Sequence, residues 1–181
     1  MLNYVKVVPY DKSFELKDFD CGESVLNKYI TNYASQDIKR YLASVFLGIN
    51  SVIEKVIGYY TLSSNRIDIS ELEMEYTREL PNYPYLPAIL IGRLAIDKDY
   101  QRKKLGEYLL LDALNRAYQA EIAAFAMLVE AKNYQAIKFY KSYGFIQFID
   151  NPNKLFLPMN TIAKIFVKPQ YSLKFFKDRS V

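Results

Sequence analysis

The spacing of apolar positions changes several times along the chain, and each change marks an element. Residues 4–9 are β-rich and predict a first strand. Beyond Asp20-Cys21-Gly22-Glu23, a helix-start signal, the period becomes helical: Val25, Leu26, Tyr29, Ile30 and Tyr33 share one face. Polar residues 36–40 extend or double that helical region. The runs 43–49 and 56–62 flank Asn50-Ser51-Val52-Ile53-Glu54-Lys55 and read as a hairpin. Residues 66–87 carry Asp68, Glu71, Glu73, Glu75 and Glu79 together with Pro81, Pro84 and Pro87. They predict an irregular surface excursion with one short helix.

The second half alternates more regularly. Ala88-Ile89-Leu90-Ile91-Gly92-Arg93-Leu94-Ala95-Ile96 is nearly all apolar and predicts a central strand buried on both faces. A charged turn at 97–103 leads into a helix over 104–120, with Leu105, Leu109, Ala113, Leu114 and Ala117 on one face. Residues 125–129 read as another buried strand. Residues 133–143 read as a helix capped by Asn133 and stopped by Gly144. Runs 145–149 and 154–157 are final strands around Asn151-Pro152-Asn153, and 161–166 is a short closing helix. Strands alternating with helices define an α/β class with a mixed sheet. The length of 181 residues suits one domain, taken as 1–168, with a basic tail at 169–181.

Composition narrows the chemistry by absence. The chain has no His, no Trp, a single cysteine (Cys21) and 17 Tyr. A Ser-His-Asp triad, a Cys-His dyad, His-ligated zinc and a cysteine metal cage are all excluded, so no metal site is expected. Acid–base chemistry is left to tyrosine, carboxylates, backbone or water. The N-terminus lacks a charged segment leading into a long apolar stretch, and nowhere do 18 apolar residues run together. The expectation is a cytoplasmic protein in a reducing compartment, with no membrane partner. Charge is uneven: Lys164, Lys168, Lys174, Lys177 and Arg179 face only Asp178 within residues 161–181, which carries the whole net charge of +4. Interleaved with Tyr171, Phe175 and Phe176, that segment suits nucleic acid or an acidic partner; the alternative is a solvated amphipathic end.

One stretch carries chemistry. Gln101-Arg102-Lys103-Lys104-Leu105-Gly106 lies between a predicted strand and a predicted helix. A helix start offers unpaired N–H groups and the positive dipole end, three consecutive cations precede it, and Gly106 lets a ligand approach the backbone. The physics points to an anion site on a βα turn, with a solvated basic turn as the alternative.

Residues 91–111 and 133–145 resemble the GNAT acyl-CoA N-acyltransferases, and the likeness extends over about residues 40–160. Gln101-Arg102-Lys103-Lys104-Leu105-Gly106 is similar to that family's Gln/Arg-x-x-Gly-x-Gly/Ala loop, with Lys104 in place of the first Gly. Asn133, Ala136, Phe139-Tyr140 and Gly144-Phe145 are similar to its second signature. The resemblance implies a GNAT fold: a mixed, mostly antiparallel central sheet flanked by helices on both faces. It implies acetyl-CoA as donor, with the pyrophosphate on the amides of Arg102, Lys103, Lys104, Leu105, Gly106 and Glu107. Gln101 belongs to the same cofactor-binding loop. Leu94, Ala95 and Ile96 would pair with the pantetheine arm, Asn133 would fix that arm, and Tyr140 would protonate the departing thiolate. Among so many tyrosines, packing of Tyr140 into the core is the alternative. Many family members carry a Glu base near this strand, whereas residues 89–96 contain Arg93 as their only charge. An α-amine of pKa about 8 needs roughly 3 kcal/mol less deprotonation than a lysine side chain at about 10.4, so the missing carboxylate leans toward an α-amine.

A narrower resemblance points the same way. Asp20-Cys21-Gly22-Glu23-Ser24-Val25-Leu26-Asn27, Val56-Ile57-Gly58-Tyr59-Tyr60-Thr61-Leu62-Ser63, Ile91-Gly92-Arg93-Leu94-Ala95-Ile96-Asp97 and Leu155-Phe156-Leu157-Pro158-Met159 look like the GNAT toxins of bacterial toxin–antitoxin pairs. That branch implies aminoacyl-tRNA as acceptor and a ribbon-helix-helix antitoxin as partner. Arg93, the basic loop and the C-terminal lysines would then meet tRNA phosphates. Homodimers are common in such folds. Two alternatives stand beside it: a GNAT enzyme acting on a small-molecule amine, peptide or protein N-terminus, and a non-catalytic CoA- or RNA-binding module.

Overall fold

Seven strands pair into one sheet in the computed structural model, which describes residues 4–167. They are β1 (Val5–Pro9), β2 (Ser44–Asn50), β3 (Lys55–Asp68), β4 (Tyr85–Ile96), β5 (Ala126–Glu130), β6 (Ile146–Gln147) and β7 (Lys154–Pro158), in the order β1-β2-β3-β4-β5-β7-β6. The pairs β1–β2, β2–β3, β5–β7 and β6–β7 are antiparallel. The basic tail expected at 169–181 lies outside the described residues. By its contacts the chain divides into two compact units, one holding the described residues to Ser63 with Ile91–Ala113, the other Ser64–Leu90 with the described residues from Leu114.

The first unit is organised by a glycine pair. Gly48 on β2 faces Gly58 on β3. A Cβ on Gly48 would lie 2.9 Å from Leu109 Cδ2, and one on Gly58 would lie 2.9 Å from both Leu109 Cδ1 and the Ala95 carbonyl oxygen. The missing side chains open a bay into which Leu109 drops, which seats the start of the long helix (Leu105–Tyr118) against the sheet. The apolar face expected for that helix is buried, from Leu105 to Ala117.

The N-terminal helical region departs from a single amphipathic helix. It comprises α1 (Ser24–Lys28), a π-helical turn (Tyr29–Tyr33) and α2 (Ala34–Lys39). The Ala34 N–H donates to the Tyr29 carbonyl five residues back. This widened turn shifts the face by one residue, so Tyr33, expected inside, is 53% exposed while Ala34 is buried; Val25, ahead of the turn in α1, is also exposed, at 75%. Tyr29, Ile30 and Ala34 still pack with Phe19, Val45, Leu47 and Tyr59.

β4 also differs from expectation. Ile91 and Ala95 are buried, but Leu90, Leu94 and Ile96 are half-buried and Gly92 is exposed. The apolar run is therefore buried at Ala88, Ile91 and Ala95 and only half-covered at Leu90, Leu94 and Ile96, not buried on both faces throughout.

In the second unit the acidic excursion is more ordered than its composition predicts. β3 runs to Asp68, a 3-10 turn spans Ile69–Glu71, α3 is Met74–Thr77, and β4 begins at Tyr85. Glu71 pairs with Lys154, and Tyr76 meets Phe156 edge-on at 5.2 Å. Leu72, Leu86, Ala88, Ala126, Leu128, Phe148 and Phe156 form the core beneath. With the long helix numbered α4, the remaining helices are α5 (Tyr134–Ser142) and α6 (Met159–Val167), near the expected places. The strand expected over 145–149 shortens to β6, because only Ile146 and Gln147 pair with β7. No helix of the described residues is long and apolar enough to cross a membrane.

The glycine bay yields a direct test. Gly58→Ala should destabilise the fold by about 1–3 kcal/mol, since the added methyl meets a backbone carbonyl and not only a yielding side chain. Urea unfolding measures the loss; an unchanged midpoint would mean that α4 has room to spare.

Candidate functional site

The buried Asp97 opens the loop at the end of β4. Its carboxylate accepts the Asp99 N–H at 3.1 Å and so caps the 3-10 turn Lys98–Tyr100. It also accepts the Asp20 N–H at 3.3 Å, and Lys55 Nζ lies 3.9 Å from both Asp97 and Asp99. Beyond this turn Gln101 is extended, while Arg102 and Lys104 adopt φ of 60° and 61°. Left-handed backbone at a side-chain-bearing residue costs roughly 1–2 kcal/mol. Two such residues in three make a concave run of amides suited to an anion.

α4 begins directly afterwards. The Tyr108 N–H reaches the Lys104 carbonyl at 3.1 Å, so the N–H groups of 105–107 lie ahead of the intrahelical ladder. Leu105 is buried and anchors the helix start, Gly106 and Glu107 are half-buried, and Arg102, Lys103 and Lys104 are exposed. Lys103 Nζ donates to the Asp99 carbonyl at 2.8 Å and lies 5.0 Å above the Tyr100 ring. The Gln101 side chain points away from the concave run: its Nε2 donates to the Cys21 and Ile96 carbonyls, each at 3.0 Å.

Leu94, Ala95 and Ile96 are the last residues of β4 before this loop; Leu94 is half-buried, and Ile96 packs with Val5, Ile57 and Leu105. Arg93 is held close by. Its guanidinium sits 3.5 Å over the Tyr29 ring, which stacks on Tyr59 at 6.1 Å. Burial, reinforced by the Asp37 carboxylate and opposed by Arg93, pushes the Tyr29 hydroxyl up to about 12.

Asn133 and Tyr140 belong to the second unit, Tyr140 on α5 and Asn133 at its cap. Asn133 Oδ1 accepts the Ala136 N–H at 2.9 Å, the cap that its sequence position predicts, which leaves Nδ2 as its donor for other groups. Gly144 ends the helix with φ of 85°. Tyr140 is 8% exposed, packed against Phe139 and Phe145 with ring centroids 5.2 and 5.3 Å away. Burial drives its hydroxyl well above the usual phenol value, so the group stays protonated.

Sequence reasoning passed over the residues that brace the loop. Asp20, Asn27, Asp97 and Lys98 form a hydrogen-bonded group, and Lys98 with the Gly22 N–H holds the Asp20 carboxyl down to about 2. Asp20 and Asn27 lie in the toxin-like stretch Asp20–Asn27, but nothing in their spacing alone tells where the turn docks.

The residues present fit a phosphate-bearing cofactor: a concave backbone run, a helix start behind it and exposed cations around it form a cradle for a diphosphate. Such a cradle at the end of a half-buried apolar strand suits an extended, phosphate-tailed ligand. Residues 87–163 match the family model described as Acetyltransferase (GNAT) domain. A tRNA-acetylating toxin of Mycobacterium tuberculosis strain H37Rv is 30% identical over 72% of this chain and 78% of its own. AtaT complexed with acetyl-methionyl-tRNAfMet superposes with a TM-score of 0.83 at 31% identity, over 90% of this chain and 99% of that one. A tyrosine-to-phenylalanine variant of the AtaT toxin, bound to the C-terminus of the antitoxin AtaR and acetyl-CoA, gives 0.78 at 27% identity, covering 91% and 99%. The chain belongs to the GNAT acetyltransferase family.

The left-handed lysine can be tested apart from any ligand. Lys104→Gly removes a Cβ from a φ of 61° and should leave stability unchanged or raise it by about 0.5–1 kcal/mol, against a loss for Gly in ordinary helix or strand. Denaturant titration reads the sign. A loss above about 1 kcal/mol would mean that the lysine side chain, not the backbone, holds the loop.

Proposed function

We propose that this acetyltransferase transfers the acetyl group of acetyl-CoA to the α-amine of aminoacyl-tRNA, and that it acts in the cytoplasm as a toxin restrained by a cognate antitoxin. The observation that carries the proposal is the likeness to AtaT, captured with acetyl-methionyl-tRNAfMet, at 31% identity over 90% of this chain. Acetyl-CoA, when bound, supplies a thioester whose acetyl carbon is open to attack by an amine. The amides of 102–107, with the Arg102, Lys103 and Lys104 side chains, bind the diphosphate. The backbone of Leu94, Ala95 and Ile96, at the end of β4, pairs with the pantetheine arm, and Asn133 supports that arm.

Tyr140 holds the proton. Its hydroxyl delivers it to the sulfur that leaves, and burial serves this role by suppressing the phenolate. A phenol raised above pKa 10 is a weaker acid than the thiol of pKa about 8.5 that it forms, so the proton transfer is uphill and is offset by formation of the amide bond. β4 contains no carboxylate to act as base. An α-amine, already substantially neutral near pH 8, needs none. Arg93, fixed over Tyr29, is the cation nearest the β4 segment of the site and suits a tRNA phosphate.

Tyr140→Phe should lower kcat about 10²-fold on charged tRNA while leaving acetyl-CoA affinity within about twofold. Calorimetry alongside turnover separates the effects, and unchanged turnover would remove Tyr140 as the acid. The pH–rate profile should rise with deprotonation of the acceptor amine near about pH 8 and show no falling limb below about pH 10, because Tyr140 keeps its proton. A falling limb near pH 8 would assign the acid elsewhere. Acetylation of free amines or peptides with kcat/KM equal to that on charged tRNA would replace the acceptor with a small molecule or protein.

A further inference from the structure

We propose that Gln101 is a positioning residue, pinning the start of the diphosphate cradle to the turn at Asp20, Cys21 and Gly22, and that this tether sets the affinity for acetyl-CoA. The inference rests on the acetyl-CoA reading of the site and assigns a role that the loop's amides alone do not explain.

Both acceptors of Gln101 are carbonyls, Cys21 and Ile96, each 3.0 Å from Nε2. Only the NH2 end of the carboxamide can face two carbonyls, and its two hydrogens match two acceptors. One bond fixes Gln101 to the end of β4. The other fixes it to a turn eighty residues earlier.

That turn is itself rigid. Asn27 Oδ1 accepts the Cys21 N–H at 2.9 Å and its thiol at 3.0 Å, while Asn27 Nδ2 donates to Asp20 Oδ1 at 2.7 Å. The Gly22 N–H donates to the same oxygen at 2.9 Å, with Gly22 at φ of 84°. Lys98 adds two ties to Asp20: its N–H donates to the carbonyl at 2.8 Å and its Nζ to Oδ2 at 2.9 Å. The Asp20-Cys21-Gly22…Asn27 motif is therefore a brace beneath the loop.

The brace matters because the residues just beyond Gln101 are strained. Arg102 and Lys104 occupy the left-handed region, which side-chain-bearing residues avoid in a free loop. The concave conformer persists when both ends of the segment are fixed. Leu105, buried under α4, fixes the far end, and Gln101 fixes the near end. If the near end is released, the loop relaxes and the competent fraction falls. Apparent affinity falls by the same fraction. Gln101 is exposed and the Lys98 ties to Asp20 remain without it, so the fold survives its loss.

The test measures CoA binding by titration calorimetry on the apoprotein, for wild type and for Gln101→Leu, Gln101→Arg and Gln101→Glu. Gln101→Leu should raise the CoA Kd about tenfold, with the thermal midpoint within about 2–4 °C of wild type. Gln101→Arg keeps donors for both carbonyls and should restore affinity to within about threefold; Gln101→Glu, an acceptor against two acceptors, should lose at least as much as Leu. Turnover of S-acetylpantetheine, which lacks the diphosphate, should lose less in kcat/KM on Gln101→Leu than CoA loses in affinity, because the tether to the turn at Cys21 acts through the cradle and only its bond to the Ile96 carbonyl borders the pantetheine segment. Equal CoA affinity in wild type and Gln101→Leu would overturn the inference, as would an equal loss with S-acetylpantetheine. Failure of the wild type to bind CoA would instead overturn the cofactor reading beneath it.

Discussion

α4 can sit where it does because two facing residues, Gly48 and Gly58, carry no side chain. Leu109 occupies the space that their methyl groups would fill, and the Ala95 carbonyl crosses the same bay. That close approach brings the unpaired N–H groups at the helix start beside the end of β4, where Asp97 turns the chain. The intervening residues must bridge a short gap, and the left-handed Arg102 and Lys104 are the result. The strained, cation-bearing loop proposed to bind a diphosphate thus lies directly before the helix that packs Leu109 on two glycines.

The chemistry is equally spare. A chain without histidine relies on groups that do not titrate near neutrality, and the buried Tyr140 is such a group. On the reading proposed for Tyr140, the acid keeps its proton across the working range and the acceptor brings its own ready nucleophile. An α-amine satisfies that condition far better than a lysine side chain. The absence of a carboxylate from β4 and the choice of acceptor are in this sense one fact seen from two sides.

Much of this was legible from periodicity. The strands, the α4 face, the Asn133 cap and the Gly144 stop all come from local patterns, which dominate where an element is regular and one-sided. The misreadings share a cause in tertiary context. The π turn at Tyr29 depends on one widened hydrogen bond and shifts Tyr33 outward without any change in apolar content. The partial exposure of Leu94 on β4 is invisible because a half-covered apolar residue reads the same as one that packs in a core. The acidic excursion looked loose, yet Glu71 and Tyr76 tie it to β7 through partners far along the chain. For the site, the loop motif directed attention to 101–107, but the brace through Asn27 and the outward aim of Gln101 required the three-dimensional contacts.

The central claim is that the acetyl group ends on the α-nitrogen of a charged tRNA. The most direct test is mass spectrometry of the aminoacyl adenosine released by nuclease after incubation of charged tRNA, acetyl-CoA and the protein. The account predicts a mass increase of one acetyl group, placed by fragmentation on the amino acid's α-nitrogen. Aminoacyl adenosine recovered unmodified, or an acetyl group placed on the ribose or base, would contradict it.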